Sequence, residues 1–201
     1  MKLSKKITSS LLLPLLLSTA FVSSKAFADW TLNNDKSTLS FVSVKSSAIA
    51  EVHYFKQLSG SVDKSGKASV EVDLASPETM IPIRNDRLQS MLFQTEVYSK
   101  AIVMANIDFA QLSKLAIGES FTQKQTVVLD LHGNKNELAT ELQITKLVND
   151  AINVSSIKPI VLNAADFKLV EGINALRDIA GLPSITTQVP VTFNLVFDDV
   201  K

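Results

Sequence analysis

Two histidines, His53 and His132, are the first residues in this sequence that could transfer a proton or bind a metal. They lie far apart in the chain, and neither has a carboxylate or second histidine at a metal-ligand spacing. Cysteine is absent, which excludes thiolate metal sites and thiol nucleophiles. The sequence therefore predicts no metal site, and both histidines are interpreted as exposed or hydrogen-bonded strand residues.

Other patterns associated with catalysis also fail on inspection. Residues 60–68 (GSVDKSGKA) superficially resemble a phosphate-binding loop. Their glycines are one residue too far apart, and Ala68 stands where a hydroxyl side chain would hold magnesium. No G-x-S-x-G nucleophile elbow is present. The sequence thus predicts no cofactor and no enzyme, and residues 63–66 are predicted to form a turn.

One polar cluster remains, at residues 84–87, between two apolar segments. Asn85 or Asp86 could cap a helix, with the arginines on its exposed face. Alternatively, Arg84, Asp86 and Arg87 could lie at the mouth of a cavity, where an arginine pairs with a polar head group. The sequence leaves both interpretations open.

Most of the chain alternates between apolar and polar residues, which is typical of strands with one buried face. The clearest runs are residues 67–74 and 185–197. Further strands are predicted at 38–44, 50–62, 103–109, 127–131, 138–144 and 151–157. Short polar turns between them favour antiparallel pairing of sequential strands.

Two segments have helical spacing instead, residues 84–93 and 173–180. We expect two short helices that cover an opening or an edge. The pattern as a whole predicts an all-β domain, either a closed barrel or a two-sheet sandwich. A barrel of about eight strands is wide enough to be filled by its own side chains or to hold one small ligand.

The first 28 residues are predicted to be a signal peptide. Three lysines precede an apolar run, and Ala26-Phe27-Ala28 forms an A-x-A cleavage signal. The predicted mature domain, residues 29–201, then carries 16 basic and 20 acidic side chains, because Lys2, Lys5, Lys6 and Lys25 are lost with the leader. This balance gives no reason to expect nucleic acid as a partner.

Several segments, taken in order, resemble the YceI-like family of periplasmic polyisoprenoid-binding proteins over the whole predicted mature length. They are residues 30–32 (WTL), 37–41 (STLSF), 58–60 (LSG), 83–88 (IRNDRL) with 92–93 (LF), 128–133 (VLDLHG) and 189–193 (VPVTF). The resemblance implies an extended, lipocalin-like, up-and-down antiparallel barrel. It also implies a long apolar cavity for a polyprenyl lipid or an isoprenoid quinone.

The main hypothesis is therefore a periplasmic protein that carries or stores an isoprenoid lipid. Arg84, Asp86 and Arg87 are expected at the mouth, and a homodimer is compatible with this prediction. The predicted lining residues are inward-facing apolar side chains: Phe41, Phe55, Val70, Val72, Ile107, Phe109, Leu129, Leu131, Val191, Phe193 and Leu195.

Two alternatives remain. A non-catalytic interaction module of the cell envelope would have a barrel packed solid, without a continuous cavity. An enzyme acting on bound lipid would use His53 or His132 as a base, and it ranks last because neither histidine has a visible partner.

Overall fold

The computed structural model describes residues 29–200, so the predicted signal peptide lies outside the described residues. The strands are β1 (Trp30–Leu32), β2 (Thr38–Lys45), β3 (Ile49–Phe55), β4 (Leu58–Val62), β5 (Lys67–Asp73), β6 (Pro77–Glu78), β7 (Lys100–Asn106), β8 (Ser120–Leu131), β9 (Asn134–Lys146), β10 (Ile152–Ser156), β11 (Ile160–Asn163) and β12 (Gln188–Asp199). The α-helices are α1 (Pro82–Arg87), α2 (Phe109–Leu112) and α3 (Val170–Ile179). A π-helix (Leu88–Phe93) follows α1, and 3-10 helices span Asn34–Lys36, Val148–Asp150 and Ala164–Phe167.

Eight strands of the described region close into a barrel in the order β1-β4-β5-β7-β8-β9-β10-β12, and β12 pairs back to β1. The pairings around the barrel are antiparallel. The predicted all-β barrel of about eight strands with short helices is confirmed. Strands β2, β3 and β6 extend the wall beyond the closed ring.

Strand β12 is paired along both edges. Its C-terminal half pairs with β1 and β10, and its N-terminal half pairs with β2 and β11. On one edge of β12, the partner strands β1 and β2 are separated by the 3-10 helix Asn34–Lys36, which the Asn33 side chain caps. On the other edge, the partner strands β10 and β11 are separated by a short segment that contains Pro159, a residue without a backbone N–H to donate. The result is a long wall built on a single continuous strand.

One end of the barrel is packed solid. The Trp30 ring contacts the Phe109 ring at a centroid distance of 5.7 Å, and its Nε1 donates to the Asp150 carbonyl at 2.8 Å. Around them, Val62, Ile144 and Ile152 are almost completely buried. Burial of these side chains stabilises this end by roughly 1.5–3 kcal/mol per large residue.

The sequence predicted a strand through residue 109, and this boundary is wrong. Strand β7 ends at Asn106, and the Asp108 side chain accepts a hydrogen bond from the Gln111 amide at the start of α2. Such an N-cap satisfies an amide that would otherwise lack a partner in the first turn. The cap therefore turns Phe109 away from the β7 ladder.

The predicted strand 50–62 is also two strands, β3 and β4. The break falls at Lys56 and Gln57, whose backbone amides donate to the carbonyl and hydroxyl oxygens of Ser76. The even-numbered apolar series of residues 50–62 is interrupted at Lys56. The buried face changes there, from odd positions such as His53 on β3 to even positions such as Leu58 and Val62 on β4. The break lets β3 pair with β6 while β4 pairs with β1 and β5.

A helical cover closes the opposite end. It consists of α1, the π-helix, the 3-10 helix Ala164–Phe167 and α3. Helix α3 crosses the π-helix closely at Gly172, where an added Cβ would lie 2.8 Å from the Met91 carbonyl oxygen and 2.9 Å from the Leu92 Cα. Both predicted helical segments thus form a cover, with glycine at their contact.

We expect Gly172→Ala to lower the free energy of unfolding by about 1–3 kcal/mol, the usual cost of overpacking against backbone. Helix propensity alone predicts the opposite, since alanine is favoured over glycine within helices by about 1 kcal/mol. Urea unfolding checks this, with Asn174→Ala on the exposed face of α3 as control. A Gly172→Ala protein as stable as the wild type would contradict the tight crossing.

Candidate functional site

An apolar cavity of about 210 Å³ lies between the solid end of the barrel and the helical cover. Among the described residues that line it, every one except Thr140 is apolar. A cavity of this composition stays dry, because water would find too few hydrogen-bond partners. The lining residues are Leu39, Phe41, Phe55, Ala68, Val70, Val72, Leu74, Leu92, Phe93, Ala101, Val103, Ala105, Ile107, Val127, Leu129, Leu131, Leu138, Thr140, Leu142, Val154, Ile160, Leu162, Ala164, Phe167, Leu169, Ile173, Val189, Val191, Phe193, Leu195 and Phe197.

The structure brings most of the predicted lining residues together around this cavity. They are Phe41, Phe55, Val70, Val72, Ile107, Leu129, Leu131, Val191, Phe193 and Leu195. Phe109 is not among the described lining residues, because α2 directs it onto Trp30 at the solid end. The period-two pattern thus located the inner face on strands, and it failed where the strand ended.

Sequence reasoning missed the part of the lining that comes from the helical cover. Phe93 follows α1, while Phe167 and Ile173 come from the segment before β12. Their helical spacing was visible, but which helix face meets the barrel depends on the crossing at Gly172. Other missed strand residues, such as Val103 and Val189, share a face with predicted ones and were accessible to the same alternation argument.

The three residues predicted at the mouth do not line the cavity in the described structure. Arg84 instead reaches over β3, where its Nη1 donates to Glu51 at 2.8 Å and its Nη2 donates to the Thr79 carbonyl at 2.7 Å. Asp86 is exposed, and Arg87 is partly exposed on the same short helix. Of the three, Arg84 is the one that packs beside the cavity wall.

A polar wall adjoins the cavity, formed by Ser43, Lys45, Glu51, His53 and Arg84. The Oγ of Ser43 and Nε2 of His53 lie 3.0 Å apart, and the Phe41 ring, which lines the cavity, contacts the His53 ring at 5.3 Å between centroids. Glu51 pairs with both Lys45, at 2.9 Å, and Arg84. The apolar lining therefore ends at an organised set of polar side chains.

On this polar wall, neighbouring charges favour the ionised form of Glu51, whereas burial favours the neutral form of His53. The hydrogen bond from Lys45, together with the charge of Arg84, holds the pKa of Glu51 below its usual range. Burial, and secondarily the nearby Arg84 charge, lowers the pKa of His53. Near neutral pH, Glu51 is thus ionised and His53 is neutral.

The second histidine lies elsewhere. His132 occupies the turn between β8 and β9 with a left-handed backbone (φ 53°), and its ring contacts the tilted Tyr98 ring at 4.2 Å between centroids. It therefore belongs to a turn, whereas the sequence placed both histidines on strands. Among the described residues, no group of three His, Cys, Asp or Glu side chains could hold a metal ion. In the same region, no helix is both long and apolar enough to cross a bilayer.

The family model described as YceI-like domain matches residues 30–197. The chain belongs to the YceI-like domain family. The helical cover lies within the matched range, as does strand β12 up to residue 197. No curated protein matches the chain.

Solved structures agree with membership of the YceI-like family. A polyisoprenoid-binding domain from Saccharophagus degradans, implicated in plant cell wall breakdown, is 37% identical, with a TM-score of 0.84. The match covers 87% of this chain and all of that domain. Burkholderia cenocepacia BcnA is 19% identical, with a TM-score of 0.62 over 82% of this chain and 98% of its own. This second likeness shows the fold.

The position of His53 in this YceI-like domain makes stability depend on pH. Its pKa is lower in the fold than the ordinary value of about 6.5, so the folded state favours the neutral ring. The stability that the fold gains from the neutral ring is fully present above about pH 6.5. It is lost as the pH falls below that value towards the lowered pKa of His53. The charged groups nearest to the ring are Arg84, Glu51 and Lys45.

We therefore expect the free energy of unfolding to fall between pH 7.5 and pH 5.5, a range above the titration of most carboxylates. In His53→Gln, which keeps a hydrogen-bonding side chain beside Ser43, the fall should be smaller. Urea unfolding at both pH values measures the difference. The same pH dependence in both proteins would show that His53 is not the responsible group.

Proposed function

We propose that this protein binds an isoprenoid lipid inside the barrel and carries or stores it in the periplasm. The observation that carries the proposal is the apolar cavity, whose described lining has a single polar member, Thr140. Such a lining offers contact to a hydrocarbon chain and very little to a polar metabolite. The ligand-binding residues we propose are Phe41, Phe55, Val70, Val72, Ile107, Leu129, Leu131, Val191, Phe193 and Leu195.

The energetics of contact favour a long chain. Drug-sized ligands gain about 0.3 kcal/mol per heavy atom, so an isoprenoid of roughly forty carbons would gain on the order of 12 kcal/mol. No hydrogen bond is needed for this gain, which agrees with a wall that is almost uniformly apolar. A chain of this kind can therefore bind tightly without catalytic machinery, and we propose a binding protein and not an enzyme.

Similarity supports the same ligand class. The Saccharophagus degradans domain, which shares 37% of its sequence with this chain, is a polyisoprenoid-binding domain. Residues 1–28 support export, because they combine a cationic start, an apolar run and an A-x-A signal. We therefore place the mature protein, residues 29–201, in the periplasm.

The cavity volume bears on how a long chain would fit. About 210 Å³ is below the roughly 300–1,000 Å³ of typical small-molecule sites. A long isoprenoid therefore requires the helical cover to move outward, since the strands are locked by backbone pairing. The π-helix and the segment 164–173 supply lining residues, so the cover would shift together with part of the wall.

Val72→Trp tests the proposal directly. Val72 is buried on the inner face of β5 and lines the cavity. The larger ring should occupy the space of the ligand and reduce uptake of a polyprenol or a long-tailed quinone by at least about tenfold, a loss of about 1.4 kcal/mol. Uptake is measured by co-elution of the added lipid with the protein on gel filtration.

Ser69→Trp is the matched control, because Ser69 lies on the same strand at an odd spacing from Val72 and so faces outward. Circular dichroism checks that both variants keep the barrel. Equal uptake by the wild type and Val72→Trp would mean that the lipid does not occupy this cavity.

A further inference from the structure

Strand β3 has the reverse of the usual distribution of polar and apolar side chains. His53 is 4% exposed, whereas its neighbour Val52 is 71% exposed. Alternate residues of a strand share a face, so the exposed Tyr54 lies on the outer face together with Val52. An antiparallel sheet with one wet face normally buries its apolar side chains and exposes its polar ones. The outer face of β3 instead presents apolar side chains to solvent.

The same reversal occurs on residues 80–83, which follow β6 and form the start of α1. We call these residues the apolar loop. Thr79 is 4% exposed, whereas the next residue, Met80, is 76% exposed. Ile81 and Ile83 are exposed as well. The chain therefore buries a hydroxyl group here and leaves three large apolar side chains in water.

Polar side chains hold the apolar loop in place. The Glu78 carboxylate accepts hydrogen bonds from the Met80 amide at 2.7 Å and from Nδ2 of Asn85 at 3.1 Å. Oδ1 of Asn85 accepts from the Thr79 hydroxyl at 2.6 Å. Met80 has a left-handed backbone (φ 61°), which is uncommon for a residue with a long side chain. The loop is thus ordered by polar groups on its protein side while its apolar side chains point outward.

The apolar loop and the outer face of β3 form one surface, which we call the apolar patch. Its members are Val52, Tyr54, Met80, Ile81 and Ile83. Strand β6 pairs antiparallel with β3, so the chain beyond Glu78 continues towards Val52. Helix α1 leads directly into the π-helix, whose Leu92 and Phe93 line the cavity. The patch therefore adjoins the cover that a long ligand has to displace.

The charges around the apolar patch suit a lipid surface. Residues 45–56 and 78–87 carry four basic and three acidic side chains, whereas the predicted mature domain carries 16 basic and 20 acidic ones. Two of these acids, Glu51 and Glu78, are already in ion pairs. Basic side chains and tyrosine next to an apolar surface are typical of contacts with lipid head groups. The local charge is thus opposite in sign to that of the whole domain and complementary to lipid phosphates.

The ligand class also favours a bilayer as the partner. A chain of roughly forty carbons dissolves in a bilayer and very little in water, because the cost of hydrating apolar surface grows with its area. A protein that takes up such a chain must obtain it from a membrane. A second copy of this protein on the patch would leave the chain to cross water before it reached the cover.

We propose that the apolar patch docks this protein on the surface of a lipid bilayer, with the apolar loop inserted among the head groups. The inference rests on the proposed function, because a carrier of isoprenoid lipid must exchange it with a membrane. Docking places the helical cover beside the bilayer, so that the chain passes into the cavity without crossing water. The contact is peripheral, as for other apolar segments that lie in the interface.

Co-flotation with vesicles of equimolar phosphatidylethanolamine and phosphatidylglycerol measures docking of the mature protein. Met80→Asn removes an exposed apolar side chain, and asparagine tolerates a left-handed backbone, so the loop should keep its shape. The variant should bind vesicles at least about tenfold more weakly, the effect expected from losing burial of one large apolar side chain. Ile83→Gln should weaken binding by a similar factor. Met104→Asn, at an exposed methionine on β7, is the matched control and should bind like the wild type.

Uptake of a polyprenol is measured in parallel from the vesicles and from detergent micelles, and thermal unfolding verifies that each variant is folded. Met80→Asn should slow uptake from vesicles and leave uptake from micelles unchanged. Equal vesicle binding by the wild type and both loop variants would overturn the docking surface. A wild type that does not float with vesicles, and forms a dimer that Met80→Asn dissociates, would overturn it in favour of a second copy. Failure of the wild type to take up polyprenol from either source would contradict the proposed function itself.

Discussion

Backbone pairing along both edges of β12 is the constraint on which the rest of the molecule depends. This one strand bonds to β1 and β2 on one side and to β10 and β11 on the other. A sheet closed in this way has no free edge along its barrel, so its diameter is fixed by strand number and stagger. The inward side chains of β12 then face a space whose width the remaining strands cannot change.

That fixed space is used differently at its two ends. Trp30 and Phe109 fill one end, whereas the other is covered by short helices that meet at Gly172. Helices packed by side-chain contact can separate more easily than strands joined by a ladder of hydrogen bonds. The fold thus combines a wall held by strand pairing with one end covered by side-chain packing, and the proposed long ligand would have to displace that cover.

The polar wall includes buried nitrogen atoms that have no hydrogen-bond partner within the described chain. Burial of neutral His53, together with an unpartnered nitrogen on Arg84, lowers stability relative to an apolar hairpin. The ion pair with Glu51 and the hydrogen bond to the Thr79 carbonyl hold Arg84 in one position over β3.

The sequence was most informative where one physical rule governed a whole strand. Alternation identified the inner faces of β5, β8 and β12, and with them most of the predicted lining residues. It failed at Phe109, because a single Asp108 side chain ended the strand locally. The polar wall escaped prediction because it combines β2, β3 and α1, and its contacts exist only after β3 pairs with β2 and β6.

The position of Arg84 could not be predicted from the sequence either. Its position in a polar cluster suggested a cavity mouth, and the structure places it against Glu51 on the neighbouring hairpin. Charge patterning along the chain cannot indicate which distant carboxylate an arginine will reach. The identity of that partner follows from the position of α1 beside β6, which pairs with β3 in the folded barrel.

The most direct test of isoprenoid binding is to express the full chain with its leader and purify the protein from the periplasm. The protein is then extracted with organic solvent, and the extract is analysed by mass spectrometry. The account predicts about one isoprenoid molecule per protein molecule. An extract without lipid, from a protein that also fails to take up added quinone or polyprenol, would contradict it.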